Sequence, residues 1–153
     1  MSSYFIDSSA LVKRYMPETG TVWIRNITAQ QSGNDIFVAQ ITVVEILSAI
    51  SRVYHDGDID RHTLQSFRRL VERHMQSQYR VLALSNAIVT QALDLQENHR
   101  LRAYDAVQLA SALALQHRAA AVGAAITFIA SDTRLLQAAS SERLQTDTPN
   151  NYP

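Results

Sequence analysis

Two aspartates in this sequence end short apolar runs and immediately precede segments with helical spacing. Asp7 ends "YFID" before "SSALVKRY", and Asp132 ends "TFIASD" before "TRLLQAA". If both runs are strands of one parallel sheet, their carboxyl ends meet at the edge where such sheets bind ligands. Carboxylates crowded at one edge repel each other and favour a divalent cation among them. The sequence therefore predicts a metal site at this edge.

Each acid also has a simpler structural interpretation. Aspartate is a preferred N-cap residue, and a cap contributes about 1 kcal/mol, so Asp7 or Asp132 alone is explained by capping. Asp105 begins "DAVQ", which resembles a capping box in which Gln108 reaches back to the cap. Glu45 falls away from the apolar stripe of its helix, and this pattern alone predicts a surface glutamate.

The elements that position these acids alternate between short apolar strands and amphipathic helices. Strands are predicted at 4–6, 36–39, 79–84, 126–130 and, as a weak edge strand, 144–148. Helices are predicted at 10–15, 22–29, 42–54, 61–76, 86–98, 104–117 and 133–139, and Thr19 or Thr21 is expected to cap the second. This order predicts an α/β sandwich around a mainly parallel sheet, folded as a single domain over residues 1–153.

The composition limits the class of metal ion that the site could bind and indicates where in the cell the protein is expected. There is no cysteine, so disulfides and thiolate metal sites are excluded, and carboxylate oxygens favour a hard cation such as Mg²⁺ or Mn²⁺. The formal net charge is zero, so nucleic-acid binding would require a local basic patch. No apolar run approaches the length that spans a bilayer, and the N-terminus lacks a secretory pattern, so we expect a cytoplasmic protein without membrane contact.

Two other functions that use a strand-end aspartate fit this sequence poorly. A phosphoacceptor receiver domain would need a lysine late in the chain, but Lys13 is the only lysine. A haloacid-dehalogenase-like phosphatase would need a second aspartate two positions after the first, where this sequence has Ser9. Neither function is favoured.

Four segments, in this order and separation, resemble the motifs of PIN-domain ribonucleases. They are "YFIDSSALVKRYMPE", "ITVVEILSAISR", "LRAYDAVQLASAL" and "FIASDTRLLQAA". The resemblance covers nearly the whole chain and is greatest to VapC-like toxins of bacterial toxin-antitoxin pairs. It implies a PIN-like three-layer sandwich, with a central mainly parallel sheet flanked by helices, that hydrolyses RNA with a metal ion.

The resemblance also implies roles for individual residues. Ser9 matches the hydroxyl that the family carries two positions after its first acid. Family members often have another hydroxyl two residues before the fourth acid, whereas this sequence has Ala130 there and a serine, Ser131, beside it. The acidic quartet that would hold Mg²⁺ or Mn²⁺ comprises Asp7, Glu45, Asp105 and Asp132.

The partners implied by the resemblance are an RNA substrate, an antitoxin that occupies the active-site groove, and a second copy of the chain in a homodimer. The RNA backbone needs cationic contacts. The run "FRRLVERH" is interpreted as a solvated helix face instead. The alternative function is a catalytically silent PIN-fold binding or scaffold module, against which the retention of all four acids argues. The arginines considered as RNA contacts are Arg14, Arg100 and Arg102.

Overall fold

The computed structural model describes residues 2–153 and contains a five-stranded sheet in which every neighbouring pair of strands is parallel. The strands cross the sheet in the order β3-β2-β1-β4-β5, so their carboxyl ends lie along one edge. The predicted α/β fold is confirmed, and the sheet is parallel throughout. The strands are β1 (Ser3–Ile6), β2 (Asp35–Ala39), β3 (Arg80–Leu82), β4 (Thr127–Ile129) and β5 (Gln145–Asp147).

Helices follow the strands at the predicted places. They are α1 (Ser8–Leu11), α2 (Thr21–Ile27), α3 (Thr42–His55), α4 (Arg61–Ser77), α5 (Asn86–His99), α6 (Ala103–Ala120) and α7 (Thr133–Ser141). The helix predicted at 10–15 starts earlier, at Ser8, because Asp7 caps it, and it tightens into a 3₁₀ turn at Val12–Arg14. Two more 3₁₀ turns lie at Gln30–Ser32 and Pro149–Asn151. Within residues 2–153, no helix is both long and apolar enough to cross a membrane.

Hydrophobic residues cover both faces of the sheet, as expected for parallel strands enclosed by helices. Successive strand residues point to opposite faces, so Phe5 packs with α5, α6 and α7 while Ile6 packs with α1, α2, α3 and α4. On the first face the rings of Phe5 and Phe128 stack with centroids 5.8 Å apart. The result is three layers, with the sheet in the middle, that hold the carboxyl edge of β1 and β4 in a fixed position.

The start of α2 differs from the predicted cap. Gly20, with a φ of 87°, occupies the N-cap position and has no side chain to cap the helix. Thr21 is instead the first helical residue, and its hydroxyl accepts a hydrogen bond from the Glu18 amide and donates one to the Lys13 carbonyl. The buried Lys13 ammonium donates to the Thr19 carbonyl (2.9 Å) and to Asn150 Oδ1 (3.1 Å), which ties this loop to the last 3₁₀ turn.

The same contact brings the C-terminal residues against α2. The rings of Trp23 and Tyr152 stack with centroids 4.3 Å apart. A Cβ at Gly20 would lie 2.3 Å from the Pro149 carbonyl oxygen. The left-handed backbone and the absent side chain are therefore both required at Gly20.

We expect Gly20→Ala to destabilise the protein more than Gly57→Ala does. Both glycines have a φ of 87°, but nothing lies within 4 Å of a Cβ at Gly57. Alanine in a left-handed conformation costs about 1–2 kcal/mol, and the clash at Gly20 adds about 1–3 kcal/mol more. The free energy of unfolding in urea measures both changes. Equal losses would show that the contact with Pro149 is unimportant for stability.

Candidate active site at the carboxyl edge of the sheet

Asp7 and Asp132 lie at the same edge of the sheet, beyond the carboxyl ends of the adjacent strands β1 and β4. The Asp7 amide donates to the Ile129 carbonyl (2.9 Å), which extends the pairing of β1 and β4 by one bond. Both aspartates also cap helices, since Asp7 accepts from the Ser9 amide and Asp132 from the Leu135 amide. Each aspartate can therefore cap a helix and still lie at the carboxyl edge of the sheet as a candidate ligand.

The Asp7 carboxylate is buried, with only 1% of the residue exposed. Its Oδ2 accepts hydrogen bonds from the Ser9 amide (2.9 Å) and the Ser9 hydroxyl. Its Oδ1 is buried and has no hydrogen-bond partner among residues 2–153. Burial raises the pKa of Asp7 to about 7; the two bonds from Ser9 oppose this shift, and the charges of Glu45 and Asp105 add to it.

Glu45 is half-buried on α3, so the prediction of a surface glutamate from its helical pattern was wrong. Its Oε2 accepts a hydrogen bond from Gln108 Nε2 (2.7 Å). Burial raises the pKa of Glu45, hydrogen bonds from Gln108 and Ser8 oppose the shift, and the Asp105 charge raises it further. The helical wheel failed because Ser8 of α1 and the buried Gln108 of α6, both distant in sequence, contact the Glu45 side chain.

The capping-box interpretation of Asp105 was also wrong. Arg102 occupies the N-cap position of α6, and Asp105 lies within the first turn. Gln108 does not reach back to the cap: its buried amide donates to Thr42 Oγ1 (2.9 Å) as well as to Glu45. Burial raises the pKa of the half-buried Asp105, the Asp132 charge raises it further, and Arg102 lowers it.

Ser9 and Ser131 connect the first acid to the fourth. The Ser9 hydroxyl donates to Asp7 and accepts a hydrogen bond from the Ser131 amide (2.9 Å). The Ser131 hydroxyl is buried and has no partner among residues 2–153. Asp132 itself is exposed to solvent. The main chain and not the hydroxyl of Ser131 thus makes the contact with Ser9.

Three of the acids, Glu45, Asp105 and Asp132, line one groove of about 540 Å³. Asp7 lies buried beside this groove, next to its lining residues Ser8 and Ser9. Among residues 2–153, however, no three histidine, cysteine, aspartate or glutamate side chains are close enough to bind one ion as they stand. The carboxylates are thus within electrostatic reach of each other without converging on a single point. The polar lining residues include Ser9, Glu45, Arg52, Arg102, Asp105 and Asp132.

The predicted arginines separate into two groups. Arg102 lines the groove, and Arg100 joins it in an adjoining depression that also includes Asp105 and Asp132. Arg14 lines neither of these. Its guanidinium lies over the Tyr79 ring, 5.5 Å from the centroid, and donates to the Tyr79 hydroxyl and to Gln78 Oε1. The structure therefore places Arg14 away from the acids, near the start of β3.

Sequence reasoning missed two arginines beside the acids. Arg52 lines the groove and Arg134 lines the adjoining depression. A signal was present for each, because Arg52 is two helical turns after Glu45 on α3, and Arg134 follows Asp132 by two residues. The helix predicted as a solvated face carries an exposed ion pair between Arg68 and Glu72 (2.9 Å), in agreement with that interpretation.

Comparisons with known proteins identify the fold independently. No curated protein sequence matches this chain. Similar solved structures include FitAcB from Neisseria gonorrhoeae (TM-score 0.65, 15% identity, 95% of this chain and 97% of that chain). VapBC2 from Rickettsia felis, bound to a DNA fragment from their promoter, gives a TM-score of 0.63 at 10% identity over 95% and 98% of the two chains. A toxin-antitoxin complex from Klebsiella pneumoniae gives 0.59 at 18% identity over 95% and 97%.

These likenesses establish the fold, and the family follows from the sequence itself. The sequence profile of the PIN domain matches residues 4–140. This match includes all four acids and the strands β2, β3 and β4. It also includes β1 without its first residue, and it ends before β5. The chain therefore belongs to the PIN domain family.

Proposed function

We propose that this protein is a metal-dependent endoribonuclease that hydrolyses RNA phosphodiester bonds and serves as the toxin of a toxin-antitoxin pair. The observation that carries the proposal is the buried Asp7 carboxylate, whose Oδ1 has no partner, beside a groove lined by the other three acids. PIN domains are nuclease-type hydrolases, and one similar solved structure is a toxin-antitoxin complex.

The donor set fits Mg²⁺ or Mn²⁺. All candidate ligands are carboxylate oxygens, which hard cations prefer, and the unpartnered Oδ1 of Asp7 is a buried acceptor that a cation would satisfy. We assign Asp7 and Asp105 as direct ligands, and Glu45 or Asp132 as the ligand of a second ion or the group that orients the attacking water. When bound, the cation would acidify that water and offset negative charge on the phosphoryl oxygens.

The surrounding residues of this chain would hold the acids in place. Ser9 fixes one oxygen of Asp7 and leaves the other free. Gln108 holds Glu45 toward the groove from α6, and Arg102, beside Asp105, is placed to contact a substrate phosphate. In-line attack of water on the phosphate would leave a 5′-phosphate and a 3′-hydroxyl.

The rim of the groove suits a protein partner. Val44 and Tyr104 line the groove and are 61% and 57% exposed, so the groove has an exposed apolar rim. We propose that a segment of the cognate antitoxin covers this rim and occupies the groove. The proposed assembly is a homodimer, and the proposed location is the cytoplasm, where RNA is accessible.

A second candidate function is a catalytically silent PIN-fold binding or scaffold module. It is favoured by one observation: among the described residues, 2–153, no three candidate ligands converge closely enough to bind an ion as they stand. The two functions differ in whether added metal draws these side chains together, and cleavage assays separate them.

We expect Asp7→Asn and Asp105→Asn each to abolish RNA cleavage. Loss of a direct ligand should exceed the roughly 10–100-fold effect of removing an outer partner of a metal ligand. The assay compares cleavage of single-stranded RNA in Mg²⁺, Mn²⁺ and EDTA, and the exposed Asp94→Asn on α5 is the matched control. Equal cleavage by wild type and the Asp7 and Asp105 variants would contradict the proposed enzymatic activity. So would the absence of cleavage by antitoxin-free wild type with either metal.

Without metal, we expect stability to fall as the pH rises from about 4 to about 7. Because the pKa of Asp7 is raised from 3.8 to about 7, the native state binds this proton more tightly than the unfolded chain, and the advantage is lost as pH passes the native pKa. The loss is on the order of 4 kcal/mol for a shift of this size.

Urea unfolding in EDTA across this pH range measures the effect. Raised pKa values at Glu45 and Asp105 act in the same direction, so the difference between wild type and Asp7→Asn isolates Asp7. Asp94→Asn should retain the wild-type pH dependence. An Asp7→Asn protein with the same pH dependence as wild type would show that the Asp7 carboxyl is not perturbed.

We expect Gln108→Leu to weaken metal-dependent cleavage by roughly 10–100-fold, because Glu45 loses the donor that holds it. As a positioning effect, this should appear as a shift of the Mg²⁺ dependence to higher concentration. The control is Ser111→Ala, a buried position one turn later on α6 whose hydroxyl, among residues 2–153, bonds only to the Val107 carbonyl. An unchanged Mg²⁺ dependence in a folded Gln108→Leu protein would exclude this role.

A further inference from the structure

Two further depressions continue from the groove along one side of the carboxyl edge. The first, of about 470 Å³, shares Arg102, Asp105 and Asp132 with the groove and adds Arg100 and Arg134. The second, of about 350 Å³, shares Arg100 and Arg134 with the first. The two depressions adjoin at Arg100 and Arg134, and together they are called the basic channel below; their lining extends from Asp132 to Ser141 on α7.

The arginines of the basic channel are free to bind a ligand. Arg100, Arg102 and Arg134 are exposed, and within residues 2–153 none of them takes part in an ion pair. Leu101 between the first two is buried, with 9% exposed. Because this leucine anchors the turn between α5 and α6, the arginines on either side of it project from the surface.

The backbone of Arg100 defines its position further. Arg100 ends α5 in a left-handed conformation, with a φ of 51° and a ψ of 41°, and its amide donates to the Gln96 carbonyl. A non-glycine residue in this conformation costs about 1–2 kcal/mol. The turn therefore fixes the backbone of Arg100 where its side chain lines the same two depressions as Arg134.

The chemistry of the basic channel differs from that of the groove. The groove wall includes apolar residues such as Val44 and Tyr104, whereas beyond Asp132 the channel is lined mainly by cationic and hydrogen-bonding side chains, including Gln137 and Ser141. His99 in the outer depression is held by Glu142 (2.7 Å). Exposed guanidinium groups that form no ion pair among the described residues, in polar depressions, suit a phosphate backbone better than an apolar peptide.

We propose that the basic channel binds the backbone of a single-stranded RNA on one side of the cleaved phosphate, with Arg100 and Arg134 as phosphate contacts. This inference rests on the proposed function and adds to it a direction in which the substrate leaves the acids. It also assigns a role to Arg134, which the sequence motifs did not single out.

The test measures RNA binding without cleavage. The dissociation constant of a single-stranded RNA is determined for the wild-type protein in EDTA over a range of salt concentrations, and again for the double variant Arg100→Gln/Arg134→Gln. Each lost phosphate contact reduces the slope of log affinity against log salt by about 0.7 for single strands. The double variant should therefore bind at least about tenfold more weakly at low salt, with a slope smaller by about 1.4.

Matched controls separate a local from a general effect. Arg68→Gln/Arg69→Gln on the exposed face of α4 removes the same charge, and it should leave the affinity and the slope near wild-type values. Arg100→Lys, which keeps the charge at the left-handed position, should retain most of the affinity. Thermal unfolding confirms that each variant is folded.

The outcomes distinguish this inference from the proposed function. If wild type cleaves RNA but the channel variant binds with an unchanged affinity and slope, the basic channel is refuted and the nuclease remains. If wild type never cleaves but the channel variant loses RNA binding, the nuclease is refuted and the channel remains. Equal losses in the channel variant and the α4 control would also overturn the channel, because the effect would then be one of net charge.

Discussion

The burial of one carboxylate beside the pairing of β1 with β4 is the constraint on which the site depends. The main-chain bond from Asp7 to Ile129 continues the sheet by one residue and leaves the side chain with only 1% of the residue exposed. A buried charge is costly unless it is paired or neutralised. Ser9 satisfies one carboxylate oxygen, and the other has no partner among the described residues. The fold thus creates a place where a proton or a cation is needed.

The other acids are positioned by contacts between elements far apart in the chain. Glu45 on α3 is held by Gln108 on α6 across 63 residues, and Ser9 after β1 is joined to Ser131 after β4 across 122. Because α3 packs on one face of the sheet and α6 on the other, the contact between Glu45 and the buried Gln108 forms only when both faces are packed. Assembly of the site and folding of the chain are therefore linked. The packing of the hydrophobic core offsets the electrostatic repulsion among the acids.

Features set by local sequence were predictable. Apolar runs predict the strands, and the two aspartates at strand ends indicate the correct edge of the parallel sheet. Glu45 and Gln108 were misinterpreted from pattern alone, because the hydrogen bond between them joins helices on opposite faces of the sheet. The start of α2 was missed for a similar reason: Gly20 is required by Pro149, which lies 129 residues later. The position of Arg14 over the Tyr79 ring, away from the acids, likewise depends on a tertiary contact.

The claim that Asp7 is fully ionised at neutral pH only when a cation is bound can be measured at the carboxyl group itself. The carboxyl carbon of Asp7, assigned by ¹³C NMR by comparison with Asp7→Asn, is titrated with pH in EDTA and again in saturating Mg²⁺. We expect an apparent pKa of about 7 without metal and a value below the ordinary 3.8 with Mg²⁺, because a bound cation stabilises the carboxylate. A titration near 3.8 in EDTA that Mg²⁺ leaves unchanged would contradict the account.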